Sequence, residues 1–289
     1  MERGISGRAY AKVNFGVRVL PGRSDRFHGI ESIFQTVDLY DELTLTTVAE
    51  KGCFVHCSSM KLPENNTLTK AYNAFCKLAD CEVPGLQIDL KKGIPSGGGL
   101  GGGSSDAAAL TRMLETLCNV RLSDSELDYV AAETGSDVFF FMHCDEKGRG
   151  CALVSGRGEN VKKIHGREDL FLILIFPEVS SSTKEAYALV DEAFARGNNL
   201  VSPELDELEL VYRKPPENWT FINTFTPVIS AKYKDIGRAI EALRALGCEY
   251  AEMSGSGSTV FGIFSSRQEA ESAVKELTGS WNCKLARTV

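Results

Sequence analysis

Pro95-Ser-Gly-Gly-Gly-Leu-Gly-Gly-Gly-Ser-Ser-Asp106 is the strongest signal in this 289-residue chain, because six of the seven positions from Gly97 to Gly103 are glycine. Glycine loses more conformational freedom on folding than any other residue. A run this dense marks backbone that bends sharply or comes close to a ligand. An alternating stretch, Leu86-Gln-Ile-Asp-Leu90, precedes it, and Ala107-Ala-Ala-Leu110, Met113, Leu114 and Leu117 follow at helical spacing. The order is therefore strand, bare loop, helix. A helix N-terminus offers unpaired N–H groups and a positive dipole end, and main chain stripped of side chains can wrap phosphate oxygens. Ser104 and Ser105 add hydroxyl donors, and either could also touch a magnesium ion. A flexible linker would not sit so squarely between strand and helix. No Gly-Lys-Ser/Thr follows, so the loop is not a Walker A loop, and it lacks the dinucleotide fingerprint of a first βαβ unit.

Upstream, Arg8 to Leu20 alternate. Ala9, Ala11, Val13, Phe15, Val17 and Val19 share one face, and Tyr10, Lys12, Asn14, Gly16 and Arg18 share the other. Period-two alternation predicts a half-buried strand with Lys12 and Asn14 side by side on its polar face. Ile33–Leu39 and Glu42–Val48 read as further strands, broken at Asp41. Asn65-Asn66-Thr67 offers caps to a helix carrying Leu68, Ala71, Tyr72, Phe75 and Leu78. Ser123-Asp-Ser-Glu126 is a capping box for the next helix. Asp137 follows that helix and precedes the apolar run Val138–Met142. A carboxylate there can accept the proton of an attacking hydroxyl, and it suits an ordinary turn equally well.

The segment Gly148 to Gly158 holds four glycines and little periodicity, and the domain boundary is placed there, with domains at 1–155 and 156–289. Beyond it come a strand at Leu170–Phe176 and helical patterns near Lys184–Ala195, Asp235–Leu246 and Gln268–Leu277. A glycine-serine turn leads into the strand Val260–Phe264. Strands and helices mix without a βαβ beat, which is the α+β class.

Hydrophobic residues make up 43% and charged residues 25%, the balance of a globular protein with a sizeable core. The net charge of -7 and pI of about 5.3 argue against a broad basic face for nucleic acid. Nine cysteines, no CxxC pair and no apolar leader segment suggest a reducing cytoplasm and free, mostly buried thiols. Cys53, His56 and Cys57 resemble half a metal site without a second half. Leu170–Phe176, the longest apolar run, is far too short to span a bilayer. The expectation is a cytoplasmic protein, monomeric or weakly dimeric, with no nucleic-acid or membrane partner.

Three motifs in order resemble those of the GHMP kinases, the small-molecule kinases named for galactose, homoserine, mevalonate and phosphomevalonate. Ala9-Tyr-Ala-Lys-Val-Asn14 is similar to the first, Pro95–Ser105 to the second and Met253-Ser-Gly-Ser-Gly-Ser258 to the third. Ala11-Lys-Val-Asn-Phe15, Arg26-Phe-His28, Phe34-Gln-Thr-Val-Asp38 and Gly135-Ser-Asp-Val138 narrow the likeness. They resemble the branch that phosphorylates a cytidine diphosphate-linked polyol at its 2-position, in the non-mevalonate route to isoprenoid precursors. The likeness runs from Ala9 to Phe264, dense in the first half and thin between Asp145 and Gly255.

That resemblance implies a two-lobed fold, with an N-terminal ribosomal-protein-S5-like ATP-binding domain and a C-terminal α/β sandwich. It implies ATP and Mg2+ as cofactors, with the nucleotide cradled by Pro95, Ser96, Gly97, Gly98, Gly99, Leu100, Gly101, Gly102, Gly103, Ser104 and Ser105. Asn66 and Lys92 are implied on the adenosine side. Asp137 is implied as the base, with Lys12 beside it, where an ammonium favours the ionised carboxylate and offsets charge on the moving phosphoryl group. Phe27 and Tyr187 are implied around the cytosine, His28 on its polar edge, and Asn14 and Thr183 nearby. Magnesium ligands are not assigned, and water can supply most of them.

The chain departs from the pattern at three places. Phe27 stands where tyrosine is frequent, Ser96 where methionine is, and Asp106 where asparagine is. Asp106 brings negative charge near phosphates unless it caps the helix. Two other readings are a different GHMP kinase, for homoserine or a mevalonate-type acceptor, and a nucleotide-binding sensor without turnover. Arg26-Phe-His28 and Gln35–Asp38 argue against the first, and the presence of both Lys12 and Asp137 against the second.

Overall fold

The computed structural model describes residues 4–22, 27–179, 181–198 and 200–289, so Arg26 lies outside the described residues. In chain order the elements are β1 (Ile5–Val19), β2 (Ile30–Val48), β3 (Cys53–His56), α1 (Thr67–Leu78), β4 (Gly85–Lys91), α2 (Gly102–Cys118), α3 (Asp124–Thr134), α4 (Ser136–Met142), β5 (Cys151–Gly156), β6 (Asn160–Lys163) and β7 (Phe171–Ile175). There follow α5 (Thr183–Ala195), α6 (Leu208–Tyr212), α7 (Thr226–Lys232), α8 (Lys234–Ala245), β8 (Tyr250–Met253), β9 (Val260–Phe264), α9 (Arg267–Leu277) and β10 (Cys283–Arg287). The α+β expectation holds. Among the described residues no helix is long and apolar enough to cross a membrane.

The chain forms two compact units. The first takes the chain up to Ala11, Leu39–Ser96 and Gly101–Gly150, and the second takes Lys12–Asp38, Gly97–Leu100 and Cys151–Val289. The paired strands β1 and β2 contribute residues to both.

In the first unit β3 runs parallel to β4, and β4 antiparallel to the later part of β2, from Glu42↔Lys91 to Val48↔Gly85. The helices α1 to α4 pack on one another. Asn66 caps α1 through its side chain, which accepts from the N–H groups of Leu68 and Thr69, and Ser123 with Glu126 forms the complete capping box of α3. Both starts were legible because cap chemistry is local. Leu43, Leu45, Leu86, Ile88, Leu110, Leu114 and Phe140 fill the core, each worth roughly 1.5–3 kcal/mol on full burial.

In the second unit the early part of β2 runs antiparallel to β5, from Ile30↔Gly156 to Gln35↔Cys151, and β5 antiparallel to β6. A separate antiparallel sheet has the order β10-β7-β9-β8. The helices α8 and α9 lie against it, over a core that includes Ile173, Ile175, Ile236, Leu243, Val260 and Phe264.

Four expectations change. The two strands expected around Asp41 are one, β2, which runs through a fully buried Asp41. The polar face of β1 is not solvated, since Lys12 and Asn14 are each 2% exposed. The glycine-rich segment expected to be irregular contains β5. The thiols are free but not mostly buried: only Cys151 is buried, Cys76 and Cys81 are exposed, and the rest are half-buried.

Candidate active site

In the second unit the glycine loop is laced to two other segments by main-chain hydrogen bonds. The Lys12 N–H donates to the Leu100 carbonyl at 3.0 Å, and the Thr259 N–H to the Gly98 carbonyl at 3.1 Å. The Ser254 hydroxyl donates to the Gly99 carbonyl at 3.0 Å, and the Asn14 N–H meets the same hydroxyl oxygen at 3.3 Å. The first, second and third motifs, far apart in sequence, thus share one network. Lys12 lies inside it: its Nζ donates to Asn14 Oδ1 at 2.6 Å and stands 4.4 Å from the centroid of the Phe34 ring. Asn14 Nδ2 donates onward to the Ser32 hydroxyl at 3.1 Å. Asn223, buried in the same unit, donates to the carbonyls of both Met253 and Gly255 at 2.7 Å and so holds the glycine-serine turn in shape.

Gly99 shows why the loop needs glycine. Its φ is +74°, and a Cβ there would lie 2.1 Å from the main-chain oxygen of Ser254. Gly97, at φ +71°, faces open space instead, with nothing within 4 Å of an added Cβ. Gly99→Val is expected to weaken ATP binding at least tenfold, because the loop must leave its seat to accommodate both the clash and the left-handed backbone. Calorimetric titration of ATP checks this, and an unchanged affinity would count against the loop as the phosphate cradle.

The rest of the loop belongs to the first unit. Gly101, at φ +70°, is the N-cap of α2 and supplies no side-chain cap, so nothing from the cap side chain covers the first N–H groups of that 17-residue helix. Bare main chain at an uncapped helix start fits a phosphate group. Ser105 is buried and Ser104 half-buried at that end. Before the loop, Pro95 leads to Ser96, whose hydroxyl meets the Met60 sulfur at 3.2 Å. A Cβ on Gly103 would stand 3.3 Å from the Thr67 hydroxyl, and one on Gly102 3.3 Å from Lys92 Nζ.

Lys92 is held in a buried triad that sequence did not reveal. Its ammonium pairs with Asp41 and, at 3.0 Å, with Asp106. Asp41 Oδ1 also accepts from the N–H groups of Gly93 at 2.6 Å and Ile94 at 2.8 Å, which fixes the turn leading to the loop. Burial alone would lower the Lys92 pKa, but Asp106 and Asp41 outweigh it and the pKa is raised. Burial pushes the Asp106 carboxyl up, Lys92 offsets part of this, and Asp41 adds to it. Asp106 Oδ1 is buried with no hydrogen-bond partner among the described residues. Asp106 therefore does not cap the helix. Because its folded pKa lies above the unfolded value, its contribution to stability is full below the unfolded pKa near 3.9 and falls as pH rises through the raised folded pKa. Each unit of the shift costs about 1.4 kcal/mol. Denaturant unfolding at pH 5 and pH 8 should show the wild type losing stability relative to Asp106→Asn as pH rises. Parallel profiles would contradict this.

Asn66 directs its Oδ1 to the α1 cap and its Nδ2 to the Pro63 carbonyl at 2.9 Å. Asp137 is half-buried in the first turn of α4, so the apolar run behind it is helical. The half-buried Arg112 guanidinium donates to the Phe141 carbonyl at the other end of that helix.

The residues implied for the acceptor lie in the second unit. The His28 and Tyr187 rings stack at 4.9 Å and 17°, and His28 Nε2 is 2.8 Å from an Asp191 oxygen. Tyr187 also meets Phe225 edge-on at 5.0 Å. The Thr183 hydroxyl is 3.1 Å from that of Ser256 in the third motif. Phe27 is 47% exposed, with the Arg157 guanidinium 3.7 Å from its ring centroid. Sequence reasoning missed Asp41, Arg157, Asp191 and Asn223. Asn223-Thr224, a polar pair between Phe221-Ile222 and Phe225, was the one local signal among them.

Comparison with known proteins identifies the family. The model of the GHMP kinases N terminal domain matches residues 66–145, and that of the GHMP kinases C terminal matches residues 203–283. A 4-diphosphocytidyl-2-C-methyl-D-erythritol kinase of Thermotoga maritima is 40% identical over 261 residues, 89% of this chain and 90% of its own. One of Treponema pallidum (strain Nichols) is 35% identical over 284 residues, 96% of each. A crystal structure of 4-(cytidine 5'-diphospho)-2C-methyl-D-erythritol kinase superposes with a TM-score of 0.80 at 27% identity, covering 98% of this chain and 99% of that one. Homoserine kinase from Cytophaga hutchinsonii shares the fold, at a TM-score of 0.69 and 20% identity. Relatives this similar over nearly the whole length, together with both domain models, show that the chain belongs to the GHMP kinases, in the family of the 4-diphosphocytidyl-2-C-methyl-D-erythritol kinases.

Proposed function

We propose that this protein transfers the γ-phosphoryl group of ATP to the 2-hydroxyl of 4-diphosphocytidyl-2-C-methyl-D-erythritol, a step of the non-mevalonate isoprenoid pathway. The observation that carries the reading is the near full-length identity to kinases named for that acceptor. Homoserine and mevalonate kinases share the fold at 20% identity or less, which supports no transfer of their acceptors.

In this reading the acceptor oxygen attacks the γ-phosphorus, the bond to the β-phosphate oxygen breaks, ADP leaves, and the hydroxyl proton passes to Asp137. The Lys12 ammonium offsets charge on the moving phosphoryl group, and its main-chain bond to Leu100 ties it to the loop. Pro95 to Ser105 hold the phosphates through N–H groups, so most of the acceleration comes from positioning and charge. Mg2+, when bound, neutralises phosphate charge. Among the described residues no cluster of acidic, histidine or cysteine side chains is built for a metal, so phosphate oxygens, water and the hydroxyls of Ser104 and Ser105 would hold it. Asn66 and Lys92 stand on the adenosine side, Lys92 through the triad that shapes the loop entry. Phe27 and Tyr187 flank the cytosine, His28 reads its polar edge, and Asn14 and Thr183 line the acceptor.

The proposal extends to a nucleotide-binding domain at 1–155 and a second domain at 156–289. It also extends to a cytoplasmic location, a monomer or weak homodimer, and no nucleic-acid or membrane partner. Labelled ATP offered with the cytidine diphosphate-linked polyol, homoserine and mevalonate tests the acceptor. Label should enter the first alone, and label entering homoserine or mevalonate instead would overturn the assignment.

A further inference from the structure

Arg157 sits at the tip of the turn between β5 and β6, flanked by Gly156 at φ +73° and Gly158 at φ +120°. Glycines on both sides let the chain reverse tightly and push the intervening side chain outward. The register pairs Gly156 with Ile30, the first residue of β2. Phe27, His28 and Gly29, which lead into β2, therefore run beside this turn. The contact follows from that topology: the Arg157 guanidinium lies 3.7 Å from the Phe27 ring centroid. That is close for a cation over an aromatic face, which attracts out to about 6 Å.

Two features separate this arginine from an ordinary surface charge. Among the described residues no carboxylate pairs with its guanidinium; Glu159 instead accepts from the Arg157 main-chain N–H. Phe27 is among the large apolar side chains left exposed, so the pair presents an aromatic platform edged by N–H donors that no described carboxylate takes up. Arginine's planar fork suits phosphate oxygens, and stacking keeps it ordered.

We propose that Arg157 is a substrate-binding residue whose guanidinium, held flat on Phe27, engages the diphosphate of the pyrimidine nucleoside diphosphate that Phe27 stacks. This rests on the placement of the cytosine at Phe27 proposed above. It adds a specificity element that discriminates by charge, alongside ring stacking that every base can provide.

Calorimetric titration of the full chain with cytidine 5′-diphosphate and with cytidine separates the two parts. Arg157→Ala should weaken cytidine 5′-diphosphate about tenfold and cytidine less than twofold, with Arg157→Lys recovering part of the loss. The melting temperature should not move, because the Arg157 side chain is exposed. Equal losses for both ligands, or no loss for either, would overturn the diphosphate contact. Phe27→Ala is the control on the platform itself. It should weaken both ligands alike, and if it leaves both unchanged the cytosine placement fails, whereas the Arg157→Ala pair of titrations alone decides the diphosphate contact.

Discussion

Asp137→Asn is expected to lower the rate of phosphoryl transfer by about 10²- to 10⁴-fold while leaving the affinity for ATP within about twofold. The amide matches the carboxylate in shape but cannot take up the hydroxyl proton. The residue occupies the first turn of α4, whose packing depends on Val138, Phe140, Phe141 and Met142, so the helix should survive the change. Turnover is read by ADP release and affinity by titration with a non-hydrolysable ATP analogue. Wild-type turnover itself separates a kinase from a nucleotide sensor, which would bind ATP and transfer nothing. Binding retained with transfer lost fits the kinase, while wild-type turnover that survives the substitution removes Asp137 from the chemistry.

Lys12→Met is the second large effect, an expected loss of about 10²- to 10³-fold in turnover, the scale of removing one preorganised charge from a developing anion. Methionine keeps the apolar stem over Phe34 and removes the ammonium. Asn14 Oδ1 then loses a donor at 2.6 Å, and a buried acceptor left short costs about 1–3 kcal/mol, so a lower melting temperature should accompany the loss. The diagnostic is the ratio of the two. A stability loss with turnover intact would make Lys12 a structural residue.

How far the sequence was legible depended on the range of the interaction. The strand through Lys12 was readable from period-two alternation, the starts of α1 and α3 from capping residues, and the loop from glycine density, all of them local. The environment of the polar face of β1 was not readable, because burial of Lys12 and Asn14 depends on Ser32 and Ser254, the latter 240 residues away from Asn14. Asp41 looked like a strand break because acidic residues disfavour strands. Its partners, Lys92, Gly93 and Ile94, lie beyond β3, α1 and β4 in the chain and make burial acceptable. The ion pairs of Lys92 were not readable for the same reason, since Asp41 and Asp106 beside it are a product of topology. Arg157 meets Phe27 only through the register of β2 with β5, which no spacing in the chain encodes.

The acceptor hydroxyl offers the most direct test. In 2-C-methyl-D-erythritol the 2-hydroxyl is on the carbon that carries the methyl branch, so that carbon bears no hydrogen. Proton-coupled phosphorus NMR of the protein with ATP, Mg2+ and the cytidine diphosphate-linked polyol should therefore show a new phosphomonoester as an unsplit line, growing in step with ADP. A doublet or triplet would place the phosphoryl group on a secondary or primary alcohol, and ADP accumulating without a phosphomonoester would mean that no such transfer occurs.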